Sequence, residues 1–445
     1  MALVIVVALA LVAWFVVLPM VRDANEPPEE EPRVLGHLSR TPIYNPRVPD
    51  ILTMPTGWSK VVKVKEPFDW NNSVVIDTGI EDIVLLAQME SLQAVDLSVP
   101  RVLWTTALYR YRATLGNGLG VISDKNYDNL SFVDLRTGQL RAITQFSHDD
   151  HIEYVGDNGV LTTDSGTNQL CVRRYENISQ CEWRAKVGPE DGNAPLVFGG
   201  GQWVNTGEGV YDLVTGEKAP FGADSGHESV FYAGSRDTVI RVVDNGSSSI
   251  IQPWNTLTDL ALSDPVTLQG YLLGFSTYWF DGEDWPWILV ESFADHSAAN
   301  ISAYSWRTGQ QLWESQLSLG KDTMSCYILQ TFDAVIGISM DTVKSEESLD
   351  CHAPDEAVVS SQTGQVLMHR DYINIAGASP QVAYLSFPAS GSTRHVLHAY
   401  DMGSSSFDEL WKFDGPGKGW FHYVTVANHI MAWSMDKGQL WVLEP

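Results

Sequence analysis

The sequence predicts an all-β fold, and three of its features support that prediction. Short apolar runs, such as 61–64, 239–243 and 288–290, alternate with turn clusters roughly every 8–12 residues. The aromatic content is high, with 16 Trp, 16 Tyr and 15 Phe, and 36 Gly supply many turns. Beyond the N-terminal apolar run, no segment shows the 3.6-residue period of a long helix.

The turn clusters repeat along the chain as a strand, a tight turn and a second strand. Clear copies lie at 94–104, 133–140, 211–217, 303–313 and 359–367, looser copies at 399–411 and 436–441, and further turns at Asn177 and 245–246. Their spacing, mostly about 31–63 residues with several near 40, suits a four-stranded propeller blade. We therefore expect a β-propeller of about eight four-stranded blades, with seven as the alternative.

The residue types in each copy have distinct structural roles. Glycine takes the positive φ of a tight hairpin turn. The Asp before the turn, as in Asp134 and Asp212, can accept hydrogen bonds from backbone amides. A Trp after the turn can fill space between blades, so we assign to the core Trp104, Trp183, Trp254, Trp313, Trp411 and Trp441. The ring must close, and we expect a strand from residues 58–76 to pair near 440–443.

These repeats resemble the quinoprotein-like (PQQ-like) β-propeller family, whose repeat runs approximately A-x-D-x-x-T-G-x-x-L-W. Residues 94–104 have Val99-Pro100 in place of Thr-Gly and match at Ala94, Asp96, Leu103 and Trp104. Residues 303–313 have Ser305 at the Asp position and match at Ala303, Thr308, Gly309, Leu312 and Trp313. The resemblance spans most of residues 57–445 and implies a propeller fold.

The same resemblance implies two classes of function. The family contains quinone-cofactor alcohol dehydrogenases and non-catalytic scaffolds such as outer-membrane assembly lipoproteins. The dehydrogenases are characterised by two adjacent cysteines that form a disulfide beside the cofactor, and by a calcium ion held by acidic and amide side chains. No adjacent Cys pair occurs in this sequence. We therefore assign no catalytic, cofactor-binding or metal-binding residue and expect a non-catalytic, membrane-anchored member.

The N-terminal residues 2–20 form an uncharged apolar run. As a helix this run would rise about 28 Å, close to the thickness of the hydrocarbon core of a bilayer. No basic residue precedes the run and Val21-Arg22-Asp23 follows it, so we expect an uncleaved anchor over 1–22, with a cleaved signal peptide as the alternative. Residues 23–56 indicate an acidic, Pro-rich stalk or linker before a domain at 57–445.

The four cysteines indicate the compartment. Cys171 and Cys181 bracket a segment that we predict to be two short strands around a turn, with the sulfurs opposite each other. Cys326 and Cys351 bracket a strand and an acidic loop. Two local pairs suggest two disulfides in an oxidising space, with reduced thiols as the alternative. We therefore expect a single-pass cell-membrane protein whose large domain lies on the extracytoplasmic side.

The formal charge of −27 limits the choice of partner. An acidic surface repels phosphate backbones and anionic headgroups, so nucleic acid is excluded as a partner. The acidity either keeps an external domain soluble or serves a basic partner.

A loop rich in acids and tryptophan could make contacts with a partner. It holds Asp281, Glu283, Asp284, Trp285 and Trp287, and is either a contact patch or a solvated loop.

Two other clusters resemble metal sites. His148 and His151 have a spacing that could hold a transition metal, although we favour a polar loop between blades. Residues 124–128 begin like a calcium loop but lack its Gly and closing Glu, which favours a hairpin turn. No zinc-protease, hydrolase-elbow or Walker-type motif occurs.

Together these observations predict a membrane-anchored extracytoplasmic propeller that acts as a protein-binding scaffold or accessory subunit of a cell-envelope membrane complex. The alternatives are a quinoprotein-type cofactor-binding oxidoreductase and a cell-wall or carbohydrate-binding module that uses exposed aromatic side chains.

Overall fold

Strands make up nearly all the regular structure in the described part of the chain. The computed structural model describes residues 48–445 with internal gaps, the longest of which are 189–195, 220–228, 275–286 and 343–354. These residues contain strands β1–β36 and one 3₁₀ turn at Tyr175–Asn177, and no α-helix among them. The predicted all-β class is therefore confirmed.

The predicted anchor and most of the predicted stalk lie outside the described residues. Within the residues that the structure does describe, no helix has the length and apolar character to cross a membrane. The anchor at 1–22 therefore stays a prediction.

The strands form antiparallel sheets, which we number in chain order. β1 is Gly57–Lys63 and belongs to the last sheet. Sheet 1 contains β2 (Val74–Asp77), β3 (Ile83–Ala87), β4 (Ser91–Asp96) and β5 (Arg101–Ala107). Sheet 2 contains β6 (Tyr109–Leu115), β7 (Leu119–Asp124), β8 (Asn129–Asp134) and β9 (Leu140–Gln145). Sheet 3 contains β10 (Asp150–Gly156), β11 (Gly159–Asp164), β12 (Gln169–Arg173) and β13 (Trp183–Lys186).

Of the three middle sheets, sheets 4 and 5 depart from four strands and sheet 6 has four. Sheet 4 contains β14 (Leu196–Phe198), β15 (Trp203–Asn205) and β16 (Val210–Asp212). Sheet 5 contains β17 (Ser229–Gly234), β18 (Thr238–Asp244), β19 (Ser248–Asn255), β20 (Leu260–Ala261) and β21 (Val266–Gln269), the last two both paired with β19. Sheet 6 contains β22 (Tyr271–Gly274), β23 (Trp287–Asp295), β24 (Ala298–Ser305) and β25 (Gln311–Ser318).

The last three sheets have four strands each. Sheet 7 contains β26 (Thr323–Thr331), β27 (Val335–Thr342), β28 (Asp355–Ser360) and β29 (Val366–Asp371). Sheet 8 contains β30 (Asn374–Ala378), β31 (Val382–Pro388), β32 (His395–Asp401) and β33 (Glu409–Asp414). Sheet 9 contains β34 (Phe421–Val426), β35 (His429–Ser434), β36 (Gln439–Glu444) and β1.

Both ends of the domain meet in sheet 9, which closes the ring. β1 pairs with β36, with Trp58 opposite Leu443 and Lys60 opposite Trp441. Sheet 9 also contacts sheet 1, where His429 Nε2 lies 2.8 Å from Asp82 Oδ1. The predicted closure between residues 58–76 and 440–443 is confirmed. Consecutive meander sheets, closed by pairing of the first and last strands, form a β-propeller.

The core consists of apolar clusters between neighbouring sheets, because each sheet buries both faces. Between sheets 8 and 9, for example, Tyr384, Trp411, Phe421 and Tyr423 form one buried cluster. The described strands form nine sheets, whereas we expected about eight blades.

Candidate functional site

The repeat motif builds a contact between one sheet and the next. A Trp on the fourth strand donates a hydrogen bond from Nε1 to a carbonyl just after the third strand of the following sheet. Three pairs share this geometry: Trp104 with Leu135 at 2.9 Å, Trp183 with Leu213 at 3.1 Å, and Trp313 with Ser361 at 2.8 Å. The predicted role of these Trp side chains between blades is confirmed.

Glycine in the turn allows the Trp ring to approach closely. At Gly364 φ is +72°, and an added Cβ would lie 2.5 Å from Trp313 Cε3. Asp134 Oδ1 accepts hydrogen bonds from Arg136 N at 2.9 Å and Thr137 N at 2.8 Å. The polar and small residues of the motif are therefore engaged in holding the turns and the sheets together.

Residues 48–56, which we call the strap, lie in sheet 9 where other sheets have the turn between their third and fourth strands. The third and fourth strands of sheet 9, β36 and β1, come from opposite ends of the domain, so no turn joins them. Thr56 N donates to Glu444 O at 3.0 Å, which places the strap at this break. Trp411, on the fourth strand of sheet 8, donates from Nε1 to Ile51 O at 2.8 Å, as the other Trp residues do to turns.

Further contacts fix the strap on sheet 8. The Tyr384 hydroxyl accepts a hydrogen bond from Ile51 N at 2.8 Å and donates one to Pro49 O at 2.6 Å. Burial raises the pKa of Tyr384, so the hydroxyl stays protonated and able to donate. The Ser379 hydroxyl donates to Asp50 Oδ1. The last nine residues of the predicted stalk at 23–56 are thus bound to the domain.

A stacked column of aromatic and charged groups lies at the junction of sheets 7 and 8. The Arg370 guanidinium lies 3.7 Å from the ring centroid of Phe387, and Phe387 stacks on His398 at 4.1 Å. His398 Nδ1 lies 2.6 Å from Glu409 Oε2. Burial lowers the pKa of His398, and the hydrogen bond to Glu409 opposes that shift. Burial raises the pKa of Tyr400, beside His398, to about 12. These side chains therefore contact one another at the junction of sheets 7 and 8.

An exposed tryptophan marks the opposite end of sheet 9 from the strap. Trp420 lies in the glycine-rich loop before β34, its carbonyl accepts a hydrogen bond from Met435 N at 2.9 Å, and its ring lies 5.0 Å from that of His395. Burial lowers the pKa of His395. The loop thus exposes part of one aromatic ring to solvent.

His422, which follows this loop, makes the stability of the protein depend on pH. Its ring stacks on Phe68 at 4.0 Å, and burial lowers its pKa to about 3. The unfolded chain takes up a proton on this imidazole near its ordinary pKa of about 6.5, whereas the folded chain does not. Stability is therefore lost as the pH falls below about 6.5.

We expect the free energy of unfolding to fall by about 1–2 kcal/mol through His422 between pH 7 and pH 5. Urea unfolding at the two pH values, followed by tryptophan fluorescence, measures this difference. His422→Phe keeps the stacking and should reduce the loss by about that amount, while the exposed His151→Gln should not. An equal loss in His422→Phe and the wild type would contradict the assignment.

The first predicted disulfide is present. Cys171 and Cys181 are bonded, with their Cα atoms 5.5 Å apart. The predicted register was wrong, however, because Cys171 lies opposite Arg184 in the β12–β13 ladder. The 3₁₀ turn at Tyr175–Asn177 lengthens the connection, so Cys181 precedes β13 instead of lying within it.

The second disulfide stays a prediction. Cys326 lies in β26, and Cys351 lies outside the described residues. We expect non-reducing peptide mapping to recover a fragment that joins Cys326 to Cys351. Free thiols at these positions, or pairs crossed with Cys171 and Cys181, would contradict the pairing.

Most of the other predicted site residues lie outside the described part of the chain. Of the proposed contact patch, Asp281, Glu283, Asp284 and Trp285 lie outside the described residues, and Trp287 begins β23. His148 also lies outside them, while His151 is an exposed residue of β10. Among the described residues, no group of three or more His, Cys, Asp or Glu could hold a metal ion.

Sequence reasoning missed the strap contacts and the exposed Trp420. The signal for Trp420 was its sequence neighbourhood, because Gly415-Pro416-Gly417-Lys418-Gly419 is an unusually glycine-rich turn before a strand. Tyr384 and Ser379 gave no local signal, because they act on residues more than 300 positions away.

Comparisons with known proteins show no family for this chain. No family model and no curated protein matches it. Among solved structures, the quinohemoprotein alcohol dehydrogenase ADHIIG from Pseudomonas putida HK5 is 12% identical with a TM-score of 0.40, over 87% of this chain and 73% of that one. The Dos1 propeller is 11% identical with a TM-score of 0.38, over 88% and 94%.

A third solved structure, Kluyveromyces lactis Hsv2, is 10% identical with a TM-score of 0.34, over 75% of this chain and 94% of that one. Likenesses at this level carry no argument about function. The assignment of a propeller therefore rests on the sheet order and on the closure of the ring through β1 and β36.

Proposed function

We propose that this chain is a membrane-tethered extracytoplasmic β-propeller that acts as a protein-binding scaffold or accessory subunit of a cell-envelope membrane complex. The observation that supports a scaffold is the use of the repeat motif, whose Asp, Gly and Trp residues hold turns and join neighbouring sheets. The Cys171–Cys181 disulfide supports the extracytoplasmic side, because such bonds persist in oxidising compartments.

The ring is proposed to contain nine blades, one for each sheet in the described residues, in place of the eight we expected. Sheet 4 has three strands, and its fourth is supplied by the Tyr211–Lys218 bridge, beside which Ala219 N donates to Val210 O at 2.8 Å. In sheet 5, β20 and β21 share the position of the fourth strand, because both pair with β19.

Residues 1–22 are proposed to anchor the propeller, with the strap as the point at which the tether joins it. A tether raises the effective concentration of the propeller beside a membrane partner, so weak contacts suffice for a stable complex.

Copurification of the full chain in mild detergent tests this function. We expect a membrane protein to copurify in stoichiometric amount, identified by mass spectrometry, and no visible-range chromophore. The matched control is the same purification from cells that lack the chain. Alcohol-dependent dye reduction after addition of PQQ and calcium, clearly above a heat-killed control, would favour the quinoprotein-type oxidoreductase instead.

A further inference from the structure

The strap carries a copy of the Asp-aliphatic pair that begins regular turns between third and fourth strands. In such a turn the residue after the Asp accepts a hydrogen bond from a Trp of the preceding sheet, as Leu135 does after Asp134. In the strap Ile51 follows Asp50, and its carbonyl accepts a hydrogen bond from Trp411 Nε1 at 2.8 Å. The strap therefore occupies the junction of sheets 8 and 9 as a regular turn would.

The strap differs from a regular turn in the partner of its backbone amide. In the turn of sheet 2, Leu135 N donates to a carbonyl of its own sheet, Gly118 O, at 2.9 Å. Ile51 N instead donates to the Tyr384 hydroxyl of sheet 8 at 2.8 Å, and that hydroxyl donates to Pro49 O at 2.6 Å. These contacts, and the one to the Trp, all come from sheet 8.

The Asp50 side chain meets a hydroxyl donor that is already oriented. The Ser379 hydroxyl accepts hydrogen bonds from Gln381 N and Val382 N, both at 3.1 Å. Because these two bonds use its acceptor positions, its single proton points to Asp50 Oδ1, to which it donates. The donor therefore needs no reorientation to bind a carboxylate at this place.

The three side chains of sheet 8 that bind residues 49–51 are buried. Ser379 is 8% exposed, Tyr384 0% and Trp411 5%. Residues 52–54, which follow in the strap, are exposed. Residues 49–51 thus bind as a short unit, separated by three exposed residues from the rest of the strap. A unit of this kind can be supplied by a separate chain as well as by the strap.

We propose that the junction of sheets 8 and 9 is a peptide-binding site for an extended Pro-Asp-aliphatic segment of a partner protein, and that the strap occupies this site in cis. Hydrogen bonds to the peptide backbone supply affinity, while the Ser379 hydroxyl and the apolar cluster around Ile51 select the acidic and the aliphatic side chain. The proline reduces the conformational entropy that the segment loses on binding. This activity goes beyond the proposed function and does not depend on the membrane tether.

The strap competes with any such segment of a partner. Because the strap is attached to the propeller, its effective concentration at the site is on the order of millimolar. A partner segment therefore binds the intact chain weakly and binds more tightly once the strap has left the site. The strap is in this sense an autoinhibitory ligand.

The test uses the full-length chain with Asp50→Ala/Ile51→Asp, which removes the strap from the site, and a fluorescent peptide of residues 46–54. We expect fluorescence anisotropy to show at least tenfold tighter peptide binding to this variant than to the wild type, and the peptide to raise the thermal midpoint of the variant. A peptide with Asp50→Ala should bind the variant at least tenfold more weakly. No binding of the unaltered peptide to the variant, or equal binding of the two peptides, would overturn the proposal.

Two further substitutions in the strap variant locate the site. Tyr384→Phe removes the hydroxyl that binds two backbone groups of the strap, so it should weaken peptide binding at least tenfold. Tyr423→Phe is the matched control, because Tyr423 belongs to the same buried cluster and its hydroxyl donates to His395 O at 3.2 Å. Equal peptide affinity of the two phenylalanine variants would place the peptide elsewhere and refute the assignment.

If the strap variant does not fold, a full-length chain with a protease site inserted between Met54 and Pro55 decides. After cleavage, the fragment of residues 1–54 should stay with the propeller on size exclusion in detergent. An excess of the peptide of residues 46–54 should displace this fragment, whereas the peptide with Asp50→Ala should not. Loss of the fragment without peptide, or its retention in excess unaltered peptide, would contradict the proposed site.

Discussion

Trp313→Ala is expected to lower the free energy of unfolding by about 3–5 kcal/mol, which is the usual cost of removing a large buried aromatic side chain. The Trp313 ring is buried between sheets 6 and 7, and its Nε1 donates to Ser361 O at 2.8 Å. The substitution therefore leaves a cavity and removes a hydrogen bond between two sheets. Urea unfolding, followed by circular dichroism, measures the loss.

Gly364, the turn glycine beside the Trp313 ring, allows a smaller substitution that tests the same contact between sheets. Gly364→Ala places a Cβ 2.5 Å from Trp313 Cε3 at a φ of +72°, so it should also destabilise, by about 2 kcal/mol or more. Gly417 has open space around it, and Gly417→Ala is the matched control with little expected change. Equal stability of the two alanine variants would contradict the proposed role of the turn glycine.

Removing the strap is expected to destabilise the closure of the ring by about 3–5 kcal/mol, since four hydrogen bonds of about 1 kcal/mol each are lost. The change is best made by comparing a chain of residues 48–445 with one of residues 56–445. The shorter chain leaves the Tyr384 hydroxyl and the Trp411 Nε1 without their partners in the strap. Denaturation midpoints measure the stability, and hydrogen exchange of β1 and β36 measures the local opening.

Two controls separate the strap from the rest of the chain. Residues 48–445 should unfold at the midpoint of the full chain, and Leu52→Ser/Met54→Ser should unfold there too, because both side chains are more than half exposed. Identical midpoints for the chains that start at 48 and at 56 would show that the strap does not hold the ring closed.

The turn series was predictable because its signal is local. The sequence contains nine turns of the repeat series, and each falls within the chain segment of a different one of the nine described sheets. The number of blades was less predictable, because a turn does not reveal which strands it joins. Seven of these turns lie between the third and fourth strands of a sheet. The turns at 245–246 and 436–438 lie between second and third strands.

The disulfide was likewise predictable only in part. That Cys171 and Cys181 would pair followed from the predicted turn between them, which brings the two ends of the segment together. Their register did not follow, because the 3₁₀ turn at Tyr175–Asn177 depends on packing that the spacing does not record.

By itself the sequence determined the all-β class, the positions of the turns and the closure of the ring. These depend on local preferences of Gly, Asp and β-branched residues and on the need to bury both faces of a sheet. Only the tertiary structure decided that the strap belongs to the domain and that Trp411 binds it. Those features join residues hundreds of positions apart, and no periodicity in the chain records contacts of that kind.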